Sequence, residues 1–127
     1  MDVDGPPNSE DPDLEEMVAE WLTLPDVSEQ IGLPLPKVRQ LVREGKLVTV
    51  PRGKPPVQCV PADIVRDGQL VKGLAGALTV LRDAGFGPDA ALRWLLTEDD
   101  VLPGRPVDAM AAGRDKAVKR RAQVLAF

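Results

Sequence analysis

Residues 26–63 constrain the fold of this chain more than any other stretch, because they carry two helix signals in close succession. In residues 26–31, apolar side chains recur at helical spacing, and Gly32 can end a helix in a left-handed conformation. Pro36 suits the first turn of a second helix, since its missing N–H has no helical partner to lose there. Gly45 ends that second helix. The pattern predicts two short helices joined by a tight turn.

A β-hairpin is predicted directly after these helices. Residues 47–50 and 57–60 are short and rich in β-branched side chains. Residues 51–56 between them contain three prolines, one glycine and two cations, which is typical of a turn. Helix, turn, helix and hairpin in this order predict a winged helix-turn-helix over residues 14–67.

The second helix, predicted over about residues 36–44, has one apolar and one polar face. Val38, Leu41 and Val42 lie at i, i+3 and i+4 and form an apolar stripe. The remaining arc carries Lys37, Arg39, Gln40 and Arg43. A helix of this size fits the major groove of DNA, where Arg and Lys bond guanine and Gln bonds adenine. The alternative is an ordinary solvated helix face.

Three further cations follow the polar face of this helix. Lys46 lies just beyond the helix, and Arg52 and Lys54 fall in the predicted turn of the hairpin. Cations at these places are suited to contact phosphates on either side of the groove. The predicted partner is therefore double-stranded DNA, read by the helix and held through its backbone by the hairpin.

The formal net charge of −4 does not argue against this interpretation, because the charge is unevenly distributed. Residues 1–20 contain eight acids and no base, whereas residues 34–72 contain eight cations and three acids. Such asymmetry is more informative than the total. The net charge of +5 in residues 34–72 predicts modest DNA affinity that falls steeply as the salt concentration rises.

The residue inventory argues against several other classes of protein. The sequence has no histidine and only one cysteine, Cys59, which excludes an intramolecular disulfide and a Cys/His zinc site. Without histidine the usual general base and nucleophilic triads are missing, and no Gly-rich phosphate loop follows a strand. We expect neither an enzyme nor a bound cofactor, and we expect Cys59 to be a small core residue. No apolar run reaches the roughly 18 residues of a membrane span, so a cytoplasmic location is expected.

The N-terminal segment is predicted to be a disordered acidic tail over residues 1–13. Ser9 is its only hydroxyl and is a candidate phosphorylation site, the alternative being plain linker. A phosphate there would strengthen the competition of an acidic tail with DNA. A helix is predicted over residues 14–22, with Asp13 as its N-cap and Trp21 on its apolar face as a core residue.

Residues 68–127 are predicted to form a C-terminal helical region, so that the whole chain is mainly α with one small hairpin. Apolar spacing predicts helices over residues 71–84, 89–96, 106–111 and 114–126. Gly73 and Gly76 lower helix propensity in the first of these and indicate close packing against another helix. The last helix carries the basic cluster Lys116, Lys119, Arg120 and Arg121. This cluster is either a solvated helix end or a second patch that contacts phosphates.

Two resemblances extend this interpretation. Residues 31–64, including Val38-Arg39-Gln40-Leu41-Val42-Arg43-Glu44-Gly45-Lys46-Leu47, resemble the winged helix of excisionases and MerR-type proteins. From about residue 24 to the end, the chain is similar to an actinobacterial family of DNA-binding regulators that a Ser/Thr protein kinase phosphorylates in mycobacteria. The matching segments include Gly68-Gln69-Leu70-Val71-Lys72, Arg93-Trp94-Leu95, Arg105-Pro106-Val107-Asp108-Ala109 and Arg120-Arg121-Ala122-Gln123.

The second resemblance implies a winged helix-turn-helix, a helical C-terminal region and DNA binding that is weakened when a Thr in the N-terminal tail is phosphorylated. The tail of this chain has Ser9 and no Thr. Residues 91–111 also resemble the toxin-binding region of certain antitoxins, which implies a protein partner or self-association through the C-terminal helices. We therefore expect a transcriptional regulator or nucleoid-type DNA-binding protein, and the alternative is an antitoxin-like adaptor that no longer reads DNA.

Overall fold

The computed structural model describes residues 13–102 and 104–125. The predicted disordered tail lies outside these residues, apart from Asp13, and so does the candidate phosphorylation site Ser9. Asp13 caps a short helix, because its side chain accepts a hydrogen bond from the backbone N–H of Glu15.

The described residues form helices and short strands in the order of a winged helix-turn-helix followed by a helical region. The helices are α1 (Leu14–Met17), α2 (Leu24–Ile31), α3 (Leu35–Arg43), α4 (Leu74–Asp83), α5 (Pro88–Leu96), α6 (Pro106–Ala111) and α7 (Asp115–Leu125). The strands are β1 (Trp21–Thr23), β2 (Val50–Arg52), β3 (Val57–Pro61), β4 (Val65–Arg66) and β5 (Gln69–Leu70), with a 3₁₀ turn at Ala62–Ile64. The predicted fold class, mainly α with a small hairpin, is confirmed.

The first three strands form one antiparallel sheet in the order β1-β3-β2. Leu22 of β1 is paired with Val60 of β3, and Val50 of β2 is paired with Cys59. The predicted helix over residues 14–22 is therefore wrong in its second half. The open edge of β3 gives residues 21–23 a long-range partner, and helical spacing within the segment does not reveal that partner.

Helix α2 begins two residues earlier than predicted, because Thr23 caps it. The Thr23 hydroxyl accepts from the N–H of Asp26, while the Asp26 carboxylate accepts from the N–H of Thr23. This reciprocal pair is a capping box with Asp in place of Glu or Gln. At the other end, Gly32 has φ of +73°, as predicted for a left-handed stop, and its N–H donates to the Ser28 carbonyl.

The wing differs from the prediction in where its first strand lies. The predicted strand at 47–50 is displaced to Val50–Arg52, and Leu47 is buried in the segment that precedes it. A second small hairpin, between β4 and β5, was not predicted. It turns at Asp67 and Gly68, which both have positive φ, as a two-residue type I′ turn requires.

In the C-terminal region, the four predicted helices are present; α6 has the predicted bounds, and the other three begin at shifted positions. Helix α4 begins at Leu74 instead of residue 71, because Gly73 adopts a left-handed conformation with φ of +82° at its N-cap. Helix α4 packs against α7, and the close approach occurs at Gly73, where a Cβ atom would lie 2.6 Å from Cβ of Asp115, whereas Gly76 makes only ordinary contact with the side chain of Lys119. Trp94 of α5 is half-buried and packs on the core, as expected.

One hydrophobic core joins the winged unit to the C-terminal helices. Buried residues from both parts, such as Val38 and Leu81, which have no exposed surface, belong to a single cluster. Cys59 is buried in β3, as expected, and burial raises the pKa of its thiol. No helix within the described residues is long and apolar enough to cross a membrane.

A network of ion pairs reinforces this junction. Nη2 of Arg105 lies 3.0 Å from Oδ2 of Asp63 in the winged unit, and Nη2 of Arg66 lies 2.7 Å from Oδ1 of Asp108 on α6. Arg105 also donates to Asp108 at 2.8 Å. Hydrogen bonds from Arg105 and then Arg66 lower the pKa of Asp108 to about 2. Asp108 is therefore ionised at neutral pH, and both arginines are held in fixed positions.

Candidate nucleic-acid interface

Helix α3 presents the polar face that the sequence predicts. Val38 is fully buried and Leu41 and Val42 are half-buried against the core, so the apolar stripe faces inward. The four predicted contact residues Lys37, Arg39, Gln40 and Arg43 are exposed. The C-terminal helices therefore leave these side chains uncovered.

The carboxylate of Glu44 organises the C-terminal end of this face. Nε2 of Gln40 donates to Oε2 of Glu44 at 2.9 Å, and Nζ of Lys46 lies 3.4 Å from Oε1. The hydrogen bond from Gln40, and then that from Lys46, lowers the pKa of Glu44. The second N–H of the Gln40 amide and its Oε1 take no part in this bond, so Gln40 can bond adenine while it still donates to Glu44.

The two predicted cations of the wing occupy different environments. Lys54 is exposed in the turn that joins β2 to β3. Arg52 lies within β2, so its predicted place in the turn is wrong. Nη2 of Arg52 lies 2.5 Å from Oε1 of Glu15, and its guanidinium carbon lies 4.5 Å from the centre of the Trp21 ring. Helix α1 and strand β1 thus hold Arg52 at the base of the wing.

Acids surround this part of the wing. Asp13, Glu15 and Asp89 line the same surface depression as Trp21 and Arg52. This side of the wing is unfavourable for the phosphate backbone, because like charges repel.

One cation beside the end of α3 has no signal in the sequence. Arg82, in the last turn of α4, is exposed, and its guanidinium packs against the backbone of Gly45. A Cβ atom at Gly45 would lie only 1.8 Å from Nη1 of Arg82, so the glycine permits this contact. On sequence alone, Arg82 is an ordinary basic residue at a helix C-terminus, and no local pattern distinguishes it.

The described residues offer no metal centre. No group of three or more Cys, Asp or Glu side chains within residues 13–102 and 104–125 is arranged to hold a metal ion. Cationic and amide groups dominate the exposed surface of α3, and such groups favour an anionic partner with hydrogen-bonding edges.

Comparison with known proteins adds independent evidence. Residues 7–65 match the family described as "DNA-binding protein Rv2175c, wHTH domain", and residues 71–126 match "Rv2175c C-terminal domain of unknown function". The chain is 40% identical over 117 residues to "DNA-binding protein Rv2175c" of Mycobacterium tuberculosis, an alignment that covers 82% of this chain and 79% of the relative.

The fold agrees with a solved structure as well. The structure described as "NMR structure of Rv2175c" superimposes with a TM-score of 0.73 at 38% identity, covering 85% of this chain and 82% of that one. The descriptions of these matches name a DNA-binding domain and a domain of unknown function, and none names a catalytic activity. The chain therefore belongs to the Rv2175c family, whose members combine a winged helix-turn-helix with a helical C-terminal domain.

Proposed function

We propose that this protein binds double-stranded DNA as a transcriptional regulator, with α3 in the major groove and the wing on the backbone. The exposed polar face of α3 carries the proposal, since three cations and one amide remain uncovered by the C-terminal helices. Family membership supports it, because the M. tuberculosis relative is described as a DNA-binding protein.

The residues take different roles in this proposal. Lys37, Arg39, Gln40 and Arg43 face the groove. Lys46 and Lys54 contact phosphates on the two sides of the groove. Arg52 also contacts a phosphate once its ion pair with Glu15 is broken. Because phosphate contacts fix the position on the duplex and base contacts select the sequence, substitutions in the two sets should have different effects.

The salt dependence of DNA affinity tests the proposal. Each neutralised phosphate contributes about −0.9 to the slope of log affinity against log salt, so three to six contacts predict a slope of roughly −3 to −5. The measurement is a fluorescence titration of a labelled mixed-sequence duplex between low and physiological salt. An antitoxin-like adaptor that no longer reads DNA would give no such slope.

We further propose that the N-terminal segment modulates binding through the contact between Glu15 and Arg52. Glu15 holds Arg52 in an ion pair at the base of the wing and competes with DNA phosphate for the same guanidinium. By this proposal, a phosphate added at Ser9 by a Ser/Thr kinase would increase the negative charge of the same segment and weaken DNA binding further.

The substitution Glu15→Gln is expected to tighten DNA binding by about threefold to tenfold at low salt and to steepen the salt slope by about 1, since one more cation becomes available. The control is Glu16→Gln, which removes the same charge from a neighbouring exposed residue that makes no ion pair with Arg52. Equal tightening in both variants would mean that net charge alone is responsible, and the specific contact would then have no role.

A further inference from the structure

A shallow basic depression lies between the end of α3 and the start of α4. Leu41 and Lys46 line it from the winged unit, and residues 70–76, including Lys72, line it from the C-terminal side. Both lysines are exposed. The depression therefore adjoins the C-terminal end of α3 and extends into the C-terminal domain, whose function the family description leaves unknown.

A third lysine, on α7, lies beside this depression. The Cδ, Cε and Nζ atoms of Lys119 lie 3.8–3.9 Å from the position that a Cβ atom would occupy at Gly76, and Gly76 lines the depression. Lys119 thus extends along the surface of α4 beside Gly76. Three elements that are distant in sequence bring Lys46, Lys72 and Lys119 to one surface.

The charge balance of this surface is positive. Glu44 offsets Lys46, and the carboxylate of Asp115 lies beside Gly73. Among the described residues, Lys72 and Lys119 make no ion pair. Their charges are therefore available to an external anion.

The other cations of α7 have different surroundings. Arg121 is paired with Asp99 at 3.1 Å, so it is already occupied. Arg120 lines a separate surface beside Val101 and Val124, together with Arg114 at the start of the helix. The basic cluster of α7 thus divides, and Lys119 lies against Gly76 at the edge of the depression next to α3.

We propose that Lys72 and Lys119 bind phosphates of the duplex whose groove α3 occupies, so that the C-terminal domain forms part of the DNA interface. This inference rests on the proposed DNA binding. The polyanion that fits is duplex DNA, because the depression adjoins Lys46 and the C-terminal end of α3, where the flanking phosphates of an occupied groove must lie.

The test is the double variant Lys72→Gln/Lys119→Gln in the full chain, compared with wild type and with Arg114→Gln/Arg120→Gln. Both variants remove two positive charges, but the control removes them from the other surface of α7. Affinity for a 25-base-pair duplex is measured by fluorescence anisotropy at several salt concentrations, and circular dichroism verifies the fold. The Lys72/Lys119 variant should lose about 2 from the salt slope, whereas the control should retain the wild-type slope.

The possible failures are distinguishable. A wild-type slope in the Lys72/Lys119 variant, or the same loss in both variants, would overturn the extended interface while leaving DNA binding through α3 intact. Absence of salt-dependent binding by the wild-type protein would overturn the proposed function, and this inference with it.

Discussion

The double charge reversal Arg39→Glu/Arg43→Glu is expected to abolish DNA binding without altering the fold. The two arginines are four residues apart on α3, so they lie one above the other on the same face. Both are exposed, and neither makes an ion pair with another described residue. Their replacement should therefore change the surface potential and leave the core unchanged.

The size of the expected effect follows from the type of contact. Each lost contact to a base or phosphate costs about 1–3 kcal/mol, and two lost contacts correspond to a decrease in affinity of roughly 30-fold to 10⁴-fold. Repulsion between the new glutamates and the phosphates adds to this loss. A gel-shift experiment measures the effect, and the circular dichroism spectrum should match that of wild type.

The matched control is Arg114→Glu/Arg120→Glu, which reverses two exposed charges on the surface of α7 away from α4. It should retain most of the gel shift. A normal shift with the Arg39/Arg43 variant would show that α3 does not face the duplex. Loss of the shift in both variants would attribute binding to overall charge instead of to one helix face.

Much of the winged unit could be predicted because its signals are local. The two helices around Gly32 depend on a left-handed stop, a proline in the first helical turn and an apolar stripe, all of which are readable within about 15 residues. The exposure of Arg39 and Arg43 follows from the same helical spacing, given that Val38 is buried. These features require no knowledge of the rest of the chain.

The errors concern features that depend on distant partners. Strand β1 forms because it pairs with the open edge of β3. Arg52 lies in β2 instead of the turn and contacts Glu15 and Trp21, which are more than 30 residues earlier in the chain. The contact of Arg82 with Gly45 is of the same kind. In contrast, the unpredicted hairpin at Asp67-Gly68 has a local signal, since Asp-Gly favours a type I′ turn.

Alanine substitutions at Gly73, the N-cap of α4, and at Gly76, within α4, are expected to change the free energy of unfolding in opposite directions. Gly73→Ala is expected to destabilise the protein by roughly 2–4 kcal/mol, from left-handed strain together with overpacking. Gly73 has φ of +82°, and a Cβ atom there would lie 2.6 Å from Cβ of Asp115 on α7. Because Cβ of Asp115 is fixed to the backbone of α7, the helices must separate to relieve the contact.

Gly76→Ala is the matched substitution on the same helix and against the same neighbour. Gly76 lies within α4, and an added Cβ atom would be 3.8 Å from the nearest atom of Lys119, which is ordinary van der Waals contact. Replacing glycine by alanine inside a helix stabilises it by about 0.5–1 kcal/mol. Urea unfolding should therefore move the transition midpoint down for Gly73→Ala and up for Gly76→Ala, with the denaturant slope unchanged. If Gly73→Ala left the midpoint unchanged or raised it, the left-handed N-cap would not be what fixes the position of α4 against α7, and the alignment of Lys72 and Lys119 beside α3 would need another cause.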